Sequence, residues 1–215
     1  MSTKDRILDA AERLFARDGI EATSLRAITA EAGVNLAAVN YHFQSKDALV
    51  IAVIERRVGP LNERRLALLD ACEREAGEGP LPLEKVLDAF VRPVVEIFAG
   101  HARDFAPLMG RLYTEPSESV EKIYRSQTGA VVQRFIRAYG RALPELPRNE
   151  LVWRVHFSMG AIGHTLAASH MLRILSDGEC DPSDVEGTVK RLEAYMTAGL
   201  KAPVAKMPEV QHAMR

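Results

Sequence analysis

The chain has little of what small secreted proteins and small enzymes usually carry. Its 215 residues include only two cysteines, Cys72 and Cys180, far apart and in no CxxC or Cys/His spacing, so a disulfide framework or zinc site has no support. No run of about 18 apolar residues could span a bilayer. The opening MSTKDRILDAAE places charges where a signal peptide needs an apolar stretch, so a cytoplasmic protein with no membrane partner is expected. Also missing are a nucleophile paired with a base, a metal-ligand cluster and a glycine-rich phosphate loop. His156 and His164 are eight residues apart, beyond the i, i+4 pairing of helical metal sites, so no catalytic residue, metal or cofactor is predicted. There is no surplus of positive charge either. Lys and Arg number 28 against 29 Asp and Glu, a formal net charge of -1, so composition alone gives no nucleic-acid footprint.

What is present is a 47% hydrophobic composition, enough for a real core, and apolar spacing that is helical throughout, with no useful stretch of period two. The fold class predicted is all-α, with about nine helices. Residues 3–17 form the first, capped by Ser2 or Thr3, with Ile7, Ala10, Ala11, Leu14 and Phe15 on one buried stripe. A long helix is expected over residues 46–71, capped by Ser45 and kinked or broken at Gly59-Pro60, because proline removes a backbone donor and crowds the preceding turn. Residues 76–82, AGEGPLP, are the clearest loop. Further helices are predicted over residues 83–99, 103–113, 117–142, 148–175 and 182–201, and residues 203–215, with Pro203 and Pro208, read as a loosely held tail.

The most informative stretch is residues 24–43, SLRAITAEAGVNLAAVNYHF. Ser24 can cap a helix that buries Leu25, Ile28 and Ala32; Gly33 stops it where a positive φ is wanted, and Asn35 can cap a second short helix. Ala37 and Ala38 keep the leading end of that second helix thin, while Asn40, Tyr41, His42 and Gln44 crowd polar groups at its trailing end. A slender, polar-edged helix of this kind fits a DNA major groove, and Thr23, Ser24 and Arg26 stand where phosphates would be met. A plain helical hairpin in an all-α core has the same apolar pattern, and the hydroxyls of Thr23 and Ser24 can serve capping alone.

The segment GVNLAAVNYHFQSKDALV, led by ILDAAERLFARDGIEATSLRAITAEAG, resembles the N-terminal domain of the TetR family of bacterial transcriptional regulators over roughly residues 4–53. The likeness includes the Gly33-Val34 turn, the Tyr41-His42-Phe43 triplet and Lys46 at the head of the next helix. It implies a helix-turn-helix DNA-binding domain over residues 1–47 and a ligand-binding and dimerisation domain over residues 48–202. Thr23, Ser24, Arg26, Asn35, Leu36, Ala37, Asn40, Tyr41, His42 and Lys46 are then the DNA-contacting set, with Lys46 on the DNA backbone. The expected partners are a palindromic double-stranded operator, a second copy of the chain and a small effector. The acidic residues of the first domain offset its basic ones, so weak binding per half-site would be offset by pairing two copies.

In the C-terminal half, Phe90, Val94, Phe98, Phe105, Met109, Leu112 and Tyr113 either fill a core or line an apolar cavity, with Tyr139, His156 and His164 as polar groups that could face it. Gly160, Gly163 and Ala167 are small enough to admit another helix, and Leu192, Tyr195 and Met196 belong to an apolar stripe on the last helix. These two helices form the expected four-helix dimer interface, although a monomer could bury both stripes internally. The stretch LVWRVHFSMGAIG, with GVNLAAVNYHF, is similar to a branch of the family that responds to fatty acids or their acyl-CoA esters. A homodimeric repressor released by a small hydrophobic ligand is the function expected; a small all-α enzyme or a helical adaptor without DNA binding is the alternative.

Overall fold

The computed structural model describes residues 1–100, 108 and 128–204. Nine helices and no strand occur among them: α1 (Thr3–Asp18), α2 (Leu25–Ala32), α3 (Leu36–Phe43), α4 (Lys46–Ala76), α5 (Leu83–Gly100), α6 (Gly129–Ala142), α7 (Arg148–Ala167), α8 (Ser169–Leu175) and α9 (Val185–Lys201). No helix among the described residues is long and apolar enough to cross a membrane.

The first four helices start where local chemistry starts them. Ser2, Ser24, Asn35 and Ser45 each sit in extended backbone and accept a bond from the amide three residues on, satisfying a donor that the helix cannot. At Ser2 the reciprocal bond from its own N–H to Asp5 completes a capping box. Gly33 ends α2 with φ 61°, the left-handed conformation in which glycine avoids a Cβ penalty.

Two apolar clusters organise the chain. Ile7, Leu14, Phe15, Ile28, Val39, Phe43, Leu49 and Val53 belong to the first, which ends along α4 at Val58 and takes in Leu108. The second begins at Leu61 and includes Leu69, Phe90, Phe135, Tyr139, Leu151, Val189 and Met196. The clusters therefore divide within α4, more than two turns beyond residue 47, because the opening turns of α4 bury their apolar side against α1. Phe98 packs against both clusters. In the second cluster α5 is central, lying against α4, α6, α7 and α9.

Three helix boundaries differ from expectation. The α4 helix runs to Ala76, past residue 71, with Pro60 inside it. Pro60 is exposed, while Val58 and Leu61 beside it are buried and Arg56 and Arg57 are tied to α1, so the packing of both flanking turns outweighs one lost donor. Residues 148–175 form two helices, parted at Ala168, because α8 has no buried residue to hold it in line with α7. The last helix begins at Val185 under an Asp184 cap instead of at residue 182. The expected helix over residues 103–113 and the first part of that over residues 117–142 lie outside the described residues, as does the tail from residue 205.

Candidate nucleic-acid interface

The α3 helix is two-sided. Val39 and Phe43 are buried against the first cluster, whereas Leu36, Ala37, Asn40 and Tyr41 are exposed, Tyr41 by 83%. This leaves a thin helix edge with an amide and a phenol on it, backed by packed apolar residues that fix its height above the domain. His42 is half-buried and meets the Tyr41 ring edge-on at 5.1 Å, which limits where that ring can swing. Asn35 Oδ1 accepts from the Ala38 amide at 2.9 Å and Ser24 Oγ from the Ala27 amide at 3.1 Å. The Asn35 Nδ2 donors and the Ser24 hydroxyl proton take no part in those two bonds. Both helix N-termini carry partial positive charge, and Ser24, Arg26 and Asn35 at those starts are exposed.

Two of the anticipated contacts change. Thr23 is only 3% exposed, and its hydroxyl donates toward Gly19 O at 2.7 Å and Leu14 O at 3.3 Å, so it closes the link between α1 and α2 and is not placed to meet a phosphate. Lys46 is half-buried, with Nζ donating to Glu21 O at 3.0 Å; this ties the start of α4 to the same link and leaves two of its three protons for other acceptors. The basic footprint is thin because most arginines nearby are committed. Arg13 pairs with Glu31 and Arg17 with Asp18, while Arg56 bonds Asp9 and Glu12 and Arg57 bonds Glu12.

Two arginines matter here in a way that spacing did not signal. Arg6 reaches from α1 to the carbonyls of Ala32 and Gly33 in the turn, and Arg154 reaches from α7 to the carbonyls of Leu200 and Ala202 at the end of α9. Neither partner is near in sequence, so no local pattern announces them.

The residues anticipated around an effector separate. Phe90, Val94 and Tyr139 are in the second core, where the Phe90 ring lies 4.8 Å from Phe135 and carries the Arg65 guanidinium 4.2 Å above it. They pack together in that core. Tyr139 is 1% exposed, its hydroxyl has no hydrogen-bond partner among the described residues, and burial pushes the phenol up, so it keeps its proton and remains a donor. Phe98 is half-buried between the clusters. His156 and His164 are exposed on the outer side of α7 and so do not face the core, a correction that follows from the helix phase set by buried Leu151, Val155 and Ile162. Phe105, Met109, Leu112 and Tyr113 lie outside the described residues. A cleft of about 710 Å³, lined by Ala67, Asp70, Glu73, Arg74, Gly77 and Arg141, opens on the surface between α4 and α6. It was not anticipated, and four of these lining residues, Asp70, Glu73, Arg74 and Arg141, are charged.

On α7 to α9, Trp153, Phe157, Met171, Ile174, Leu175 and Tyr195 are each exposed, with Gly160 and Ala167 also exposed and Gly163 half-buried. Leu192 and Met196, expected among them, instead point into the second core; their positions on α9 share the phase of buried Val189 and Leu200.

Residues 7–53 match the model described as bacterial regulatory proteins, tetR family, and residues 88–199 match the tetracyclin repressor-like C-terminal domain. A probable HTH-type transcriptional regulator, ArpR of Pseudomonas putida, is 29% identical over 192 residues, covering 82% of this chain and 86% of its own. An uncharacterized HTH-type transcriptional regulator, YerO of Bacillus subtilis, is 32% identical over 106 residues, which span 49% of this chain but only 34% of that relative. Among solved structures, the transcriptional regulator FadR from Bacillus subtilis, in complex with stearoyl-CoA, shares the fold with a TM-score of 0.60 at 17% identity, over 91% of this chain and 98% of that one. Both halves of the chain, the capped three-helix head and the helical body behind it, thus place the protein in the TetR family of bacterial transcriptional regulators.

Proposed function

We propose that the chain acts as a homodimeric repressor whose two α3 helices enter successive major grooves of a palindromic operator, and that a small hydrophobic effector in the C-terminal body loosens that grip. The observation that carries the DNA-binding part is the two-sidedness of α3, buried at Val39 and Phe43 and open at Leu36, Ala37, Asn40 and Tyr41. Leu36, Ala37 and Asn40 face base edges in this reading. Ser24, Arg26, Asn35, Tyr41 and Lys46 grip phosphates, and His42 steadies Tyr41.

Pairing is supported by the large apolar side chains exposed along α7 to α9, since apolar surface gathered into a patch is costly to leave in water. Two copies joined through it would set the α3 helices about one DNA turn, roughly 34 Å, apart. An effector that fits better when the heads are spread shifts the population away from that spacing and so releases the duplex. Its class is an apolar chain with one acceptor oxygen for the Tyr139 phenol. The stearoyl-CoA held by the Bacillus subtilis neighbour supports a fatty acyl group.

The test is an anisotropy titration of the protein against the promoter fragment upstream of its own gene, repeated over a salt series and with added long-chain acyl-CoA. Sequence preference, a steep salt dependence and release by acyl-CoA are expected. Binding with neither preference nor salt slope would end the repressor reading; release by an unrelated class of molecule would end the acyl assignment alone. Tyr41→Ala and Lys46→Ala should weaken binding to every sequence, whereas Leu36→Ala or Asn40→Ala should change preference, and equal losses for all four would contradict that division.

A further inference from the structure

We infer that Arg6 is a positioning residue for recognition: its guanidinium fixes the turn between α2 and α3 and so sets the angle at which α3 is presented. The inference rests on the DNA-binding reading above but concerns a different part of the domain.

The turn ends α2 with carbonyls that no intrahelical amide can reach. Arg6 Nε and Nη2 both donate to Ala32 O, at 3.1 and 2.6 Å, and Nη2 also donates to Gly33 O at 2.7 Å. One planar fork therefore holds two successive carbonyls, fixing the orientation of the peptide between them as well as its distance from α1. The cationic group also sits at the negative end of the α2 dipole. Lysine can supply the charge but not the fork.

The fit between Arg6 and Gly33 is close. A Cβ built on Gly33 would lie 2.9 Å from Arg6 Nη2, and Gly33 already holds φ 61°, so the glycine admits both the left-handed turn and the guanidinium. Asn35, the α3 cap, is two residues further on. The α3 helix is about 12 Å long at 1.5 Å per residue, so a tilt of roughly 10° at the turn moves its far end by about 2 Å. That exceeds the tolerance of a hydrogen bond to a base edge.

The test compares wild type with Arg6→Lys and Arg6→Gln on two duplexes of equal length, one selected by the wild-type chain from a randomised library and one scrambled from it. Arg6→Lys keeps the net charge, so affinity for the scrambled duplex and the salt slope should stay within about twofold, while affinity for the selected duplex falls about tenfold. Arg6→Gln should lose the same discrimination and some scrambled-duplex affinity besides. In the DNA-free protein, amide hydrogen exchange at residues 33–36 should quicken in Arg6→Lys, with helical content unchanged by circular dichroism. An unchanged affinity ratio in Arg6→Lys, a parallel loss on both duplexes, or unaltered exchange at the turn overturns the proposal. Failure of the wild-type chain to select any duplex would instead count against the DNA-binding reading, and the exchange arm then decides alone whether Arg6 sets the turn.

Discussion

The N-terminal head and the C-terminal body are both helical, but they are held together differently. In the head every helix start has a side-chain cap, and a nearly buried carboxylate, Glu12, bridges α1 to Arg56 and Arg57 on α4. In the body α6, α7 and α8 begin without a side-chain cap, the bridge of Arg134 to Asp70 and Glu73 is more exposed than that of Glu12, and several large apolar side chains on α7 to α9 are left open. The head is specified by short-range chemistry and one buried charge network; the body depends on packing, including packing that a second copy would supply. A reading head must hold a few angles firmly, while a body that answers to a ligand and a partner has to keep surfaces available to them.

That contrast can be broken in five places. The largest effect is expected at Phe157, 63% exposed in the middle of the open face. If two copies pair as proposed, Phe157→Glu should leave monomers at micromolar concentration by light scattering, because each copy loses the burial of a phenyl ring, worth about 1.5–3 kcal/mol, and brings a charge into an apolar contact. An unchanged dimer mass would move the interface off this face.

Next comes Glu12→Gln, which leaves Arg56 and Arg57 partly buried with their principal acceptor weakened. A loss of about 3 kcal/mol is expected, visible as a lower urea midpoint for the head. The matching change in the body, Arg134→Ala, breaks a more exposed bridge to Asp70 and Glu73 and should cost less than about 1 kcal/mol. Equal costs at the two sites would erase the distinction between the regions. Removing a single cap with Asn35→Ala should cost about 1 kcal/mol and show first as fraying at the start of α3.

The smallest effect is a pH dependence confined to the body. Glu193 on α9 is pushed up to about 7, first by burial and then by the adjacent Asp88 carboxylate on α5. The unfolded chain releases this proton near the ordinary glutamate value of 4.5, whereas the folded chain holds it to about 7. Over that interval the native state binds more protons, so its stability should fall as pH rises through the window. Glu193→Gln should flatten the slope in thermal melts taken from about pH 5 to about pH 8. A slope that survives the substitution would assign the titration to another group.

The head was legible because its signals are local and repeated. Ser24, Gly33 and Asn35 mark the ends of two short helices within twelve residues, and each role depends on a neighbour three positions away or on its own φ. Thr23 misled for a related reason. A hydroxyl before a helix can meet a phosphate or close a link, and only its burial against Gly19 and Leu14 chooses between them. In the body, an apolar stripe shows that a face will be covered but not by what. Leu192 and Met196 share a helix with Tyr195, yet they fill the core while Tyr195 faces outward. His156 and His164 were likewise placed by helix phase, which residue type does not reveal.

The sequence by itself determined where helices begin and which halves of them are apolar, since a cap needs only a hydroxyl or amide and the next turn of chain. What holds the last carbonyls at three helix ends was decided by the tertiary structure. Arg6 closes α2, Arg141 holds the carbonyls of Gly77 and Gly79 after α4, and Arg154 closes α9, each from a different helix and from 26 or more residues away. The amides that follow a helix satisfy only some of its terminal carbonyls, and an arginine can provide for others only once folding has brought its helix alongside.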